Sequence, residues 1–250
     1  MKRKNIINWI KTNLKKVIIG TLVAITVGGL IVPASEVIPK FELNENNVTY
    51  FSNSNQHKEK KIIAIEAGHG ADLKTLKGDP GAMATDGKCE AERTMELTKI
   101  LKNKLEKKGY KVILVRDGNY EMSLGAKQRR INEIKPDLSL SIHFNSAKNP
   151  VATGTEVLAN KKSLEIYGED FAMDMAKSIS KKQGIPNRGV VHVGEDKGER
   201  RLYTRSNRIN SANLLLEICF TSNSEEVKNY DSIRYLVAQG IADTIEKYVK

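Results

Sequence analysis

The sequence predicts an α/β fold with a single domain, in which a largely parallel, twisted sheet carries helices on both faces. Apolar runs of strand length alternate with longer segments of helical periodicity through most of the chain. Strands that alternate with helices favour parallel pairing, because each helix crosses over one face of the sheet. The 250 residues are 40% hydrophobic and 28% charged, a composition typical of a globular body.

The predicted strands and helices begin at Lys61 and continue to the C-terminus. Strands are expected at Lys61–Ala67, Lys111–Arg116, Asp137–Phe144, Gly154–Ala159 and Asn213–Phe220. Helices are expected at Glu90–Lys108, Ser123–Lys135, Ser163–Lys182 and from Ser224 to the end. Residues 70–89 contain four glycines and Pro80, which predicts a long loop of the kind that is usually functional.

The N-terminal residues predict export from the cytoplasm. Residues 1–34 hold six Lys and Arg and no acidic residue, and the run from Val17 to Ala34 is apolar and uncharged. This pattern predicts either a cleaved signal peptide or a retained membrane anchor. Both place the rest of the chain outside the cytoplasm, because a Lys-rich flank stays inside. Residues 35–60 are polar and predict a flexible tether, so the folded domain is expected over residues 61–250.

The net charge of +11 is unevenly distributed along the chain. Beyond residue 34 there are 35 Lys and Arg against 30 Asp and Glu, a net charge of +5. A mildly basic body suits an anionic cell wall, a membrane surface or nucleic acid, and equally a solvated surface with no particular partner. The predicted export segment argues against nucleic acid.

Three of the apolar runs that are predicted to be strands end in a polar side chain. His69 ends the run that starts at Ile62, His143 ends the run that starts at Leu138, and Glu217 follows three leucines. The carboxyl ends of parallel strands share one edge of a sheet, where ligands bind. A buried carboxylate such as Glu217 is costly without a metal, a cation or a chemical task. The sequence therefore predicts a site at this edge.

A catalytic zinc ion is the ligand that this set of side chains suits. Zinc takes three protein ligands from His nitrogens and carboxylate oxygens and leaves one position open for water. Glu90 begins the helix after the long loop, so its side chain can turn back over the sheet edge, whereas Glu92 would face away. The ligand separations of 21 and 53 residues are too long for a local metal motif.

Simpler interpretations remain open for several residues. A histidine at a strand end is often only a satisfied polar residue, and Glu90 could be a first-turn carboxylate favoured by the helix dipole. His192 is expected in a loop, where a cleft-lining role is the weaker interpretation. Cys89 and Cys219 allow one bridge or two buried free thiols, and the second is favoured. His57 lies in the tether and is expected at the surface.

The ordered set of short motifs resembles a known enzyme family. The motifs are Gly68-His69-Gly70, Glu90 at a helix start, Ser141-Ile142-His143-Phe144-Asn145, Arg201-Leu202-Tyr203, and Leu216-Glu217 with Asn223. They occur in the order found in zinc-dependent N-acetylmuramoyl-L-alanine amidases of the type-3 catalytic family, over about residues 61–249. The chain departs from many relatives in having Glu66-Ala67 in place of Asp-Pro, and Ala91 in place of a charged residue.

The resemblance implies a function and a role for individual residues. By position it implies Zn²⁺ bound by His69, Glu90 and His143. It implies that Glu217 is catalytic and that Asn145 and Arg201 lie on the substrate side. The implied substrate is peptidoglycan, cleaved at the amide between N-acetylmuramic acid and L-Ala of the stem peptide.

The alternative is a cell-wall-binding relative that is non-catalytic or has another specificity, such as a different zinc amide hydrolase. A non-catalytic relative would be expected to have lost zinc ligands, and this chain keeps all three positions. Anionic wall polymers suit the basic body as further partners, nucleic acid is not expected, and the membrane is expected to contact only the N-terminal segment.

Overall fold

The chain divides into two compact units, Met1–Glu59 and Lys60–Lys250. The computed structural model describes the backbones of four short strands between residues 25 and 50, and residues 60–193 and 208–250 in full. In the first unit, β1 (Ile25–Val27) pairs with β2 (Leu30–Val32), and β3 (Phe41–Asn44) pairs with β4 (Asn47–Tyr50), both antiparallel.

The sequence predicts neither of these hairpins. Most of residues 1–34 and 35–60 lies outside the described residues, so the export segment and the tether stay predictions. Across the part of the chain that the structure describes, no helix is both long enough and apolar enough to cross a bilayer.

The described residues of the second unit form an α/β body with six strands in its main sheet. These strands are β5 (Ile62–Ala67), β8 (Lys111–Leu114), β9 (Leu138–Asn145), β10 (Thr155–Asn160), β11 (Asn187–Val193) and β12 (Ala212–Phe220). A small hairpin of β6 (Gly70–Ala71) and β7 (Gly78–Asp79) lies in the predicted long loop. The helices are α1 (Glu90–Lys107), α2 (Leu124–Ile134), α3 (Lys161–Tyr167), α4 (Glu169–Gln183) and α5 (Ser224–Tyr248).

The main sheet is mostly parallel, as predicted. Its strand order is β11-β10-β12-β9-β5-β8, and the pairs β12–β9, β9–β5, β5–β8 and β10–β11 are parallel. Among the described strands of this sheet, only the β10–β12 pair is antiparallel. The link between β9 and β10, residues 146–154, contains no helix. Because a parallel return needs a crossover of a dozen or more residues, β10 instead starts at the edge where β9 ends and runs back.

The two faces of the sheet differ in polarity because side chains alternate along each strand. In β9, Leu138, Leu140, Ile142 and Phe144 point into the main hydrophobic core, which α1, α4 and α5 cover. The other face of the sheet packs a smaller cluster of Val115, Ile131 and Ile209, to which α2 contributes. Helices therefore cover both faces, but only one face is a large apolar core. The second face is free to hold polar side chains.

Two elements differ from the prediction. The single helix expected at Ser163–Lys182 is two helices, α3 and α4, divided at Gly168, whose φ of 77° is incompatible with an α-helix. The segment around Gly189, expected to be a loop, forms β11 at the edge of the sheet. An edge strand tolerates the glycine because only one of its sides must be paired. His192 therefore lies in a strand, and its Nε2 is 3.4 Å from Glu169 Oε1.

Candidate metal centre

His69, Glu90 and His143 meet at the carboxyl edge of the parallel strands. Ligand atoms of all three residues lie within 4.8 Å of one another. His69 Nε2 is 3.1 Å from Glu90 Oε2, and His143 Nδ1 is 3.0 Å from Glu90 Oε1. The two imidazole rings are edge to face, with centroids 5.0 Å apart. Each histidine therefore faces a different oxygen of the same carboxylate.

The turn after β5 carries His69 toward this cluster. His69 has a backbone φ of 56°, in the left-handed region. This conformation is uncommon for a residue with a side chain and costs about 1–3 kcal/mol. The preceding residue must be glycine, since a Cβ at Gly68 would lie 2.5 Å from His143 Cε1 and 2.6 Å from Ile142 O. The close approach of strand β9 to this turn explains why the histidine follows a glycine.

The long loop and the start of α1 together fix Glu90. Helix α1 has no side-chain cap; instead the backbone N–H of Glu90 donates to Ala82 O at 2.8 Å. In return, the backbone N–H of Ala82 donates to Glu90 Oε2 at 3.2 Å, and that of Phe144 donates to Glu90 Oε1 at 3.0 Å. A Cβ at Gly81 would lie 2.7 Å from His69 Cδ2, so glycine also permits the loop to approach here. Loop, helix and strand β9 thus all converge on one carboxylate.

Asp79 orients His69 from the solvent side. Its Oδ1 is 2.9 Å from His69 Nδ1 and accepts a hydrogen bond from the backbone N–H of Gly81 at 3.2 Å. A histidine that ligates a metal usually donates its other ring N–H to such a carboxylate, which sets the tautomer. Sequence reasoning missed Asp79, because it is one polar residue in a loop with no strand or helix pattern.

Glu217 lies beside the cluster on strand β12. It pairs in register with His143 on the neighbouring strand and is 4% exposed. A cleft of about 450 Å³ opens there, and the three clustered residues, Glu217, Asn145 and Asp79 all line it. The structure therefore brings the polar side chains at three strand ends, His69, His143 and Glu217, to one cleft. Arg201 and Tyr203 lie outside the described residues, so the structure does not address their placement.

Two buried cations lie near the cluster, and one of them, Lys127, lines the same cleft. Lys127 Nζ is 2.6 Å from Glu66 Oε1, and both side chains are about 95% buried. The Arg116 guanidinium, 1% exposed, donates to main-chain carbonyls around the His69 turn. Burial disfavours the Glu66 carboxylate, but the nearby Lys127 ammonium nevertheless lowers its pKa. Glu66 interrupts an apolar strand as Glu217 does, so the same sequence signal could have found it.

The remaining candidates lie away from the cluster. Glu92 is 3.9 Å from Lys88 Nζ on another side of α1, which leaves Glu90 as the carboxylate at the cluster. His192 does not line the cleft. Cys89 and Cys219 are free and buried, as favoured, and burial raises the pKa of the Cys219 thiol.

The three clustered groups shift one another's protonation. Burial disfavours the Glu90 carboxylate, yet hydrogen bonds from His143 and His69 hold its pKa well below the ordinary value. Burial disfavours the His143 imidazolium, but the hydrogen bond and charge of Glu90 outweigh it and raise the pKa of His143 to about 9. The pKa of His69 is raised in the same way. A divalent cation would replace these protons, because a metal ligand must be a neutral imidazole.

Comparison with known proteins identifies relatives over the folded body. A family profile described as N-acetylmuramoyl-L-alanine amidase matches residues 63–247. The N-acetylmuramoyl-L-alanine amidase AmiC of Neisseria meningitidis is 24% identical over 224 residues, covering 75% of this chain and 52% of that protein. The chain spans about half the length of the first curated relatives it matches.

Solved structures show the same fold. Cwp6 from Clostridium difficile superposes with a TM-score of 0.67 and 28% identity, covering 77% of this chain and 30% of that chain. The catalytic domain of CwlV, an N-acetylmuramoyl-L-alanine amidase from Bacillus (Paenibacillus) polymyxa, gives a TM-score of 0.61 and 26% identity. It covers 76% of this chain and 98% of that domain.

The raised pKa of His143 predicts a stability change with pH in the metal-free protein. The folded-state pKa of about 9 lies above the unfolded value of 6.5. Between these two pH values the folded chain therefore binds the proton more tightly than the unfolded chain does. This stabilisation is fully present below pH 6.5 and is lost as the pH rises through about 9. Urea unfolding with a chelator should show that wild type loses its advantage over His143→Gln across this window. A difference independent of pH would contradict the assignment.

Proposed function

The chain belongs to the type-3 N-acetylmuramoyl-L-alanine amidase family, and on that premise we propose that it is a peptidoglycan hydrolase. It cleaves the amide between N-acetylmuramic acid and L-Ala of the stem peptide. The observation that carries the proposal is the meeting of His69, Glu90 and His143 in a cleft, with Glu217 on the adjoining strand. These residues come from four separate elements of a body with the family's fold.

The donor set at the cleft fits a zinc ion. Two imidazole nitrogens and one carboxylate oxygen are the ligands of many catalytic zinc sites. Asp79 supports this assignment, because its contact with His69 Nδ1 turns the other ring nitrogen toward Glu90. Zinc bound by His69, Glu90 and His143 would lower the pKa of a water molecule and polarise the scissile carbonyl.

Glu217 is proposed as the general base and acid. One of its carboxylate oxygens takes a proton from the attacking water and later delivers it to the nitrogen of the leaving L-Ala. Its register opposite His143 and its position in the cleft support this role. No nucleophilic Ser or Cys is required, because water is the nucleophile. Asn145 at the end of β9 and Arg201 are proposed to contact the substrate.

A change of Glu217 to glutamine tests this role. Glu217→Gln keeps the shape of the side chain but cannot carry the proton, so turnover should fall by about 10²–10⁴ while metal content and fold persist. The matched control is Glu92→Gln, which removes a carboxylate on another side of α1 that does not line the cleft and should keep turnover near wild type. Near-native turnover of Glu217→Gln would make Glu217 structural. Loss of bound metal in that variant would make it a ligand.

Digestion of purified peptidoglycan identifies the bond that is cleaved. Mass analysis should find new free L-Ala amino termini and intact glycan strands. A chelator should stop their release, and added zinc should restore it, because the proposed chemistry requires the ion. New reducing sugar ends, or new D-Ala or diaminopimelate termini, would show that another bond is cut. Binding to peptidoglycan without any release would favour a non-catalytic wall-binding protein.

We also propose that the protein acts outside the cytoplasm. The Lys-rich residues 1–34 and the uncharged run from Val17 to Ala34 support this location, and the net charge of +5 beyond residue 34 suits anionic wall polymers. Expression in a Gram-positive host followed by fractionation should place the body in the wall or on the membrane. Membrane-bound full-length protein would favour a retained anchor over a cleaved signal, whereas full-length protein in the cytoplasm would contradict export.

A further inference from the structure

Buried cations bind the backbone of the turn that carries His69. We propose that Arg116 and Lys127 are positioning residues that hold this turn and so aim the His69 imidazole at Glu90. This inference rests on the metal site proposed above, and it assigns to the two cations a role in metal affinity. Neither residue contacts the cluster's ligand atoms; both act through the main chain.

Arg116 binds the first two carbonyls of the turn. Its Nε donates to Ala67 O at 3.1 Å, and its Nη2 donates to Gly68 O at 2.9 Å. Its Nη1 reaches Gly118 O at 2.6 Å, on the far side of the guanidinium. Within the described residues, the hydrogen bonds of Arg116 all go to main-chain carbonyls rather than to a carboxylate. The planar fork of an arginine can span several oxygens at once, which a single ammonium cannot.

Lys127 binds the third carbonyl of the turn. Its Nζ donates to His69 O at 2.8 Å and to Glu66 Oε1 at 2.6 Å, and it lies 3.4 Å from Ala67 O. Lys127 projects from α2, which packs on the polar face of the sheet. Helix α2 is therefore joined to the residue that presents the imidazole. All three consecutive carbonyls of Ala67-Gly68-His69 have a cationic donor.

The turn needs these donors because it leaves the sheet in an uncommon conformation. His69 has a φ of 56°, and strand pairing cannot satisfy carbonyls that turn away from the ladder. Thr94 Oγ1 also donates to Gly68 O at 2.9 Å, so the cations are the side-chain donors to Ala67 O and His69 O and share Gly68 O with Thr94. The charge of Arg116 close to a metal cation would be unfavourable on electrostatic grounds alone, whereas Glu66 offsets the charge of Lys127. The burial of both cations is explained by the oxygens that they bind. Without them, the turn could relax and the imidazole would no longer point at Glu90.

The first test compares Arg116→Lys with wild type in the full-length chain. Metal affinity is measured by competition with a chromophoric chelator, and geometry by the visible absorption of the Co²⁺-loaded protein. Arg116→Lys keeps the positive charge but loses the planar guanidinium that spans several carbonyls. Metal affinity should therefore fall by about 10- to 100-fold, and the Co²⁺ spectrum should change. Wild-type affinity and an unchanged spectrum in Arg116→Lys would overturn the role of Arg116.

The second test separates the two partners of Lys127. Lys127→Met removes the donor to His69 O, but it also leaves the buried Glu66 carboxylate without its cationic partner. Metal affinity is therefore measured for Lys127→Met, Glu66→Gln and the double variant. If Lys127 holds the turn, the double variant should remain about 10-fold or more weaker than Glu66→Gln alone. Equal affinities of the double variant and Glu66→Gln would show that Lys127 only neutralises Glu66, which would overturn its role.

A control separates loss of stability from loss of positioning. Ile241→Val removes one methyl group from the main core on the opposite face of the sheet. It should lower the thermal midpoint without changing metal affinity or the Co²⁺ spectrum. An equal loss of affinity in Ile241→Val would overturn the proposal, because any destabilisation would then suffice. Failure of wild type to bind the metal would instead contradict the proposed function, so the two failures are distinguishable.

Discussion

Two imidazoles sharing one buried carboxylate constrain three distant parts of the chain at once. Glu90 lies at the start of α1, His69 in the turn after β5, and His143 near the end of β9. Each Glu90 oxygen also accepts a backbone N–H, from Ala82 or Phe144, so its position leaves little freedom to the loop or the strand. The close glycine contacts and the left-handed turn follow from the need to bring these groups within hydrogen-bonding distance.

The sheet accommodates this polar cluster because its two faces are packed differently. One face buries a continuous apolar layer under three helices and supplies most of the hydrophobic stabilisation. On the other face, buried polar groups bind one another: Asn213 Nδ2 donates to Ser139 Oγ at 2.9 Å, and Lys127 bonds Glu66. Buried polar groups are tolerated when they are paired in this way. The polar site therefore removes little apolar packing from the main core.

Much of the fold and the central site could be predicted from the sequence, because both depend on local periodicity. Apolar strand runs that end in His69, His143 and Glu217 show where the sheet edge lies, and the helix start shows Glu90. The supporting groups could not be found in this way. Asp79 belongs to an irregular loop, and Arg116 and Lys127 act on main-chain atoms 48 to 60 positions away along the chain. The break at Gly168 was missed because a single left-handed glycine leaves the helical periodicity on both sides intact.

The wide sequence spacing of the ligands has a consequence for folding. His69, Glu90 and His143 are separated by 21 and 53 residues, so the unfolded chain offers no ready chelate. Such a chelate would trap metal on disordered chains and weaken the linkage between binding and stability. Here the three residues converge only where strand β5 pairs with β9 and α1 begins beside them in the folded structure. A metal ion at this site would therefore bind an assembled body, and its binding free energy would act almost wholly on the native state.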